Sequence, residues 1–132
     1  MRKTIWFLFL AMLTLQISCK KDADAEFTNE MKFGTGLAGN GFELAGMGST
    51  FTAGTLIYFR FESEEDMAGR MIVLEVMNQA GSLYNTFEYT NPQSYGHIFL
   101  SSFIIQNPGA YTVNARLGDS GVSVISAAIT VQ

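Results

Sequence analysis

Carboxylates crowd one short stretch of this 132-residue chain, where Glu62, Ser63, Glu64, Glu65 and Asp66 follow one another. Two such groups could serve as acid and base in glycoside hydrolysis, and three could ligate a hard cation such as calcium. The pattern points first to a solvated loop, because the run begins where an apolar alternation ends. Ser63 followed three places later by Asp66 also matches the capping signature of one helical turn. Glu64, Glu65 and Asp66 are thus only a second-choice metal site, and no metal or cofactor is expected. His97 is the sole histidine. Nucleophilic catalysis needs a base held against a nucleophile and oriented by a third group, and zinc needs three or four nitrogen or sulfur ligands. One histidine and one cysteine supply neither set, so the chain reads as a protein that is not an enzyme.

Gly34, Gly36 and Gly39 spell GxGxxG. A dinucleotide site needs that pattern between a buried strand and a helix. Here Gly41, Gly46 and Gly48 follow closely, so no helix is expected and no nucleotide; the glycines read as a connection between edge strands. Tyr84, Phe87, Tyr89 and Tyr95 gather in one hairpin region. Tyrosines suit recognition surfaces, being amphipathic and cheap to order, and they equally fill cross-strand positions over a core. Packing on the sheet is the first reading of this cluster, and Tyr84, Tyr89 and Tyr95 are the candidate binding residues under the second.

Cys19 bears on location. Arg2 and Lys3 precede an almost wholly apolar stretch, 5–15, which is the charged and hydrophobic make-up of a secretory leader and too short to span a bilayer. The sequence Leu15, Gln16, Ile17, Ser18, Cys19 then gives way to Lys20, Lys21, Asp22 and Asp24. It resembles the lipobox of bacterial lipoproteins, apart from Gln16 where an aliphatic residue is usual. The resemblance implies cleavage before Cys19, acylation of that cysteine and anchoring in the outer membrane of a Gram-negative bacterium, facing the periplasm or exposed at the cell surface. A lone cysteine in an exported chain has no disulfide partner within the chain, and acylation gives it a role. Two or three acyl chains hold a small domain where one would release it.

Residues 1–18 are therefore read as a signal peptide, 19–30 as a polar flexible tether and 31–132 as one domain. Loss of the leader leaves six Lys and Arg against 12 Asp and Glu. Such a chain lacks the clustered basic residues that phosphate binding requires, which argues against a nucleic-acid partner.

Past residue 31, apolar and polar residues alternate in short runs broken by Gly, Asn, Pro and Asp, the period-2 signal of strands. The clearest runs are 55–62, 70–78, 82–89, 97–105, 110–117 and 122–131, with shorter ones near 31–35 and 42–44. Ile57, Phe59 and Phe61 share one face, as do Ile72, Leu74 and Val76, and Tyr111, Val113, Ala115 and Leu117; these sets are assigned to the core. The last run changes phase, which a β-bulge would explain. Seven or eight such strands predict an all-β, antiparallel sandwich. The stretch Pro108, Gly109, Ala110, Tyr111 resembles the turn into strand F of immunoglobulin-like domains, where a tyrosine packs in the core and bonds back to upstream backbone. That resemblance implies an immunoglobulin-like sandwich with Tyr111 as its corner residue. The function expected is a lipid-anchored binding module for a protein or glycan; the alternative is an accessory subunit that assembles by edge-strand pairing.

Overall fold

Alternation of apolar and polar residues becomes alternation of burial along the strands. In a computed structural model that describes residues 27–132 apart from 40, 94, 119 and 121, the long runs are extended strands with one apolar face turned inward. In chain order the strands are β1 (Glu30–Gly34), β2 (Gly36–Leu37), β3 (Leu44–Ala45), β4 (Thr50–Phe51), β5 (Leu56–Glu62), β6 (Met71–Asn78), β7 (Leu83–Thr90), β8 (Ile98–Ile104), β9 (Gly109–Leu117) and β10 (Ser123–Val131). Among the described residues there is no helix, so none that is long and apolar enough to cross a membrane.

Three strands in the order β1-β5-β8 face five in the order β4-β10-β9-β6-β7. The chain leaves the small sheet after β5, forms the β6–β7 hairpin in the large one, returns for β8 and crosses back for β9 and β10. These crossings define an immunoglobulin-like sandwich whose larger sheet carries an extra edge strand, β7. Seven strands are five residues or longer, as the alternation predicted, and β2, β3 and β4 are two-residue additions. One pairing departs from the antiparallel expectation: β4, just ahead of β5 in the chain, runs parallel to β10. The expected phase change in the last strand is a register shift between Ser123 and Ile125.

The core lies between the sheets. Ile57, Phe59, Phe61, Ile72, Leu74, Val76 and Val113 are fully buried, and Ala115, Leu117 and Tyr111 complete the predicted inward sets. Each large apolar side chain so buried contributes on the order of 1.5–3 kcal/mol. The glycine run folds β2 back on β3 rather than opening a helix: Gly39 turns with φ of 61°. At Gly34 any Cβ would meet the Ala45 carbonyl oxygen at 2.5 Å. The expected helical turn at Ser63 does not form. Ser63 accepts from the Glu65 amide and Asp66 from the Ala68 amide, each two residues on, and these local bonds bend the chain into turns instead.

The leader at 1–18, Cys19 and the tether as far as 26 lie outside the described residues. From Phe27 the chain is fastened to the sandwich. The Phe27 ring stacks on His97 at 4.1 Å, Thr28 donates through its amide and hydroxyl to Glu62, and the Glu64 amide donates to Asn29.

Candidate functional site

The hairpin tyrosines are turned toward the gap between β7 and β8. The Tyr89 hydroxyl donates to the Ser102 carbonyl at 2.9 Å, and its ring packs on Phe59 and Phe99. Burial pushes its phenol up to about 12. The Tyr84 hydroxyl accepts from the Gln106 amide, and its ring meets Tyr111 edge-on at 5.1 Å. Tyr95 sits apart in the β7–β8 loop, 36% exposed, with its ring against Phe42. The three residues do not share one surface. Tyr111 takes the corner position: it is 6% exposed and its hydroxyl donates to the Asn107 carbonyl at 2.6 Å. Burial first, and the Tyr84 phenol second, raise its pKa above the ordinary value.

The acidic run divides by role. Glu62 ends β5 and is held below the usual carboxylate range, chiefly by the hydrogen bond from the Thr28 backbone and also by the Thr28 hydroxyl and Arg60, against an opposing effect of burial. Arg60 donates both to Glu62 and to the Phe42 carbonyl, pinning the β2–β3 hairpin over the small sheet. Glu65 pairs with Arg70 at 3.2 Å. Glu64, Glu65 and Asp66 are all exposed. Among the described residues no three His, Cys, Asp or Glu side chains come together to hold a metal. The Nδ1 of His97 lies 3.1 Å from the Ser63 carbonyl, which only accepts, so that nitrogen carries the proton.

A further concavity lies elsewhere, on the outer face of the five-stranded sheet. It is an open groove of about 620 Å³. Its floor comes from the cross-strand pairs Ala110–Thr130 and Thr112–Ala128, small residues that leave the sheet surface low. Met77 stands opposite Thr112 on β6, and Gln79 and Gly81 of the β6–β7 turn raise one wall. Asn78 fixes that turn: its side-chain oxygen accepts from the Ala80 and Ser82 amides, both at 3.0 Å, and Gly81 adopts φ of 80°. None of the groove's lining residues is charged, in a chain with 12 acidic and 8 basic residues. The groove offers hydroxyls, amides, a thioether and backbone but no acid, base or nucleophile set. Its only trace in the sequence is small residues at alternate positions of the last two strands, a pattern that solvent-facing strands share.

No family model matches this chain, and no curated protein does. Among solved structures it is similar to an immunoglobulin-like protein from Pseudomonas aeruginosa, at 13% identity over 83% of this chain and 99% of that one, with a TM-score of 0.46.

Proposed function

We propose that the protein is a non-enzymatic binding module, lipid-anchored through Cys19 in a Gram-negative outer membrane, that meets a protein partner at the groove on its five-stranded sheet. The observation that carries this reading is the groove's position at the end of the sandwich opposite Phe27. Phe27 packs at the end where β5 stops and β8 starts, whereas Ala110 begins β9 and Thr130 nearly ends β10. Nine residues of β9 separate the two ends by about 30 Å. The eight residue steps from Cys19 to Phe27 reach at most about 28 Å when fully extended. A domain held on that leash keeps Glu64, Glu65 and Asp66 toward the bilayer and displays the groove away from it. The absence of any exposed ring in the groove for a sugar to stack on favours a protein over a glycan.

Photo-crosslinking side chains placed at Gln79 and at Asp66 in intact cells test this reading. Crosslinks to a discrete protein from position 79, and none from 66, are expected. The reverse pattern refutes the groove, and loss of the position-79 product on Cys19→Ser would tie recognition to anchoring.

A further inference from the structure

The geometry points to the slot between β1 and β10 as a second interaction surface, one that accepts an extended strand from a partner chain. The strand β10 is nine residues long, but β4 pairs only with its Thr130 and Val131. The Thr130 amide donates to Ser49 and the Gln132 amide to Phe51, so the even-numbered residues of β10 direct their backbone groups to this outer edge. By the alternation of an antiparallel strand, Ser126 and Ala128 do the same. Among the described residues no backbone group pairs with them there.

Burial records the gap. On the one inward face of β10, Ile129 and Val131 are each 2% exposed where β4 covers the edge, whereas Ile125 and Ala127 are only half-buried where nothing does. Two hollows flank the uncovered stretch. One of about 280 Å³ is lined by Met31, Lys32, Phe33, Met47, Gly48 and Ala127, with the Lys32 ammonium held by Glu30 at 2.9 Å, and one of about 270 Å³ by Glu64, Glu65, Val122 and Val124. Across the slot, the Phe33 carbonyl is already engaged by the Gly48 amide, so an incoming strand would pair with β10 alone.

These features specify the occupant. Unpaired amides and carbonyls call for extended backbone, and the Met31–Phe33–Met47 hollow takes apolar side chains at alternate positions. At the other end Glu64, exposed beside the Glu65–Arg70 pair, favours a lysine or arginine. Residues 122–132 hold no charge and no proline, the devices that normally protect an exposed edge. The occupant is thus an extended partner segment, alternately apolar, with a basic residue at one end.

The probes are acetylated hexapeptides of alternating valine and threonine, with lysine at the first or the last position, added to the chain from residue 19 onward. Binding by one of the two is expected, with slowed amide exchange at Ser126 and Ala128. Replacing lysine by glutamate should weaken it about tenfold, or 1.4 kcal/mol. Ser126→Pro, which removes an edge amide without touching the β9 ladder, should weaken it similarly, whereas Ser126→Ala, Gln79→Ala and Thr112→Ala leave it unchanged. The inference falls if neither peptide binds, if protection appears at Thr86 and Glu88 of β7 instead, or if Ser126 and Ala128 already exchange slowly in the free monomer. It falls equally if sedimentation shows that a second copy covers the edge.

Discussion

Removing the Tyr111 hydroxyl separates one hydrogen bond from the packing around it. In Tyr111→Phe the ring stays against Tyr84, and only the 2.6 Å bond to the Asn107 carbonyl is lost. Asn107 is exposed, so water replaces the donor at that carbonyl, and the net cost is about 1 kcal/mol. Tyr111→Ala removes a ring that is almost completely buried among residues of both sheets, leaving a cavity that costs on the order of 3–5 kcal/mol. For a domain of this size each kcal/mol lowers Tm by roughly 4–8 °C. Urea melts of both variants should shift the midpoint without changing the slope. Thr112→Ala, one residue on and facing out, should stay within about 0.5 kcal/mol of the parent. A Tyr111→Ala protein as stable as the parent, or a Phe variant as unstable as the Ala one, would refute the corner assignment.

Tyr89 titrates at about 12 when folded against 10.0 for a free phenol, so its neutral form contributes stability that is fully present below pH 10 and lost as pH rises toward 12. Absorbance titration should show Tyr89 ionising near 12 and Tyr111 also above the ordinary phenol range, and Tyr89→Phe should flatten the alkaline limb of a stability–pH curve. Glu62 is displaced the other way, below its ordinary 4.5, so its contribution is present above that pH and fades as pH falls through the folded value. Glu62→Gln should remove this part of the acid limb, and an unchanged limb would show that Thr28 does not hold the carboxylate. Mass spectrometry of membrane-extracted protein should find Cys19 as the first residue and carrying lipid; an unmodified chain that starts elsewhere would end the anchoring proposal.

The core was legible because alternation is a local signal. Ile57, Phe59 and Phe61 declare their face through spacing alone, and Gly109–Tyr111 declared a turn whose geometry followed. The groove was not legible, because Ala110, Thr112, Ala128 and Thr130 become one floor only through the β9–β10 register, which pairs residues 16 to 20 positions apart. Composition leaves two readings open where the same residue type serves two ends. Tyr84 and Tyr89 have the make-up of a recognition patch, yet the β6–β7 pairing directs both rings inward. The acidic run reads first as a loop, and Ser63 with Asp66 also fits a helical cap; Ser63 is itself buried and bonds within its own turn, so the chain bends before a helix can start.

The inward tyrosines also explain why the two open sides of the sandwich differ. Between β7 and β8, the Tyr89 hydroxyl occupies the Ser102 carbonyl and the Tyr84 hydroxyl the Gln106 amide, so β8 and the chain just beyond it have backbone groups already engaged. On β7 itself, Asn85 accepts from the Thr86 amide and Glu88 puts a charge on the strand. An incoming strand there would have to displace hydrogen bonds and desolvate a carboxylate. Along β10 it meets neither obstacle, since Ser126 and Ala128 are exposed and no charge lies on the strand. A chain this acidic that keeps the open stretch of β10 free of charge has left that edge fit for pairing. Introducing Ser126→Lys should therefore weaken strand addition while leaving the monomer's melting point nearly unchanged, because the new ammonium is solvated in the free protein and sits beside the edge that a partner strand must approach.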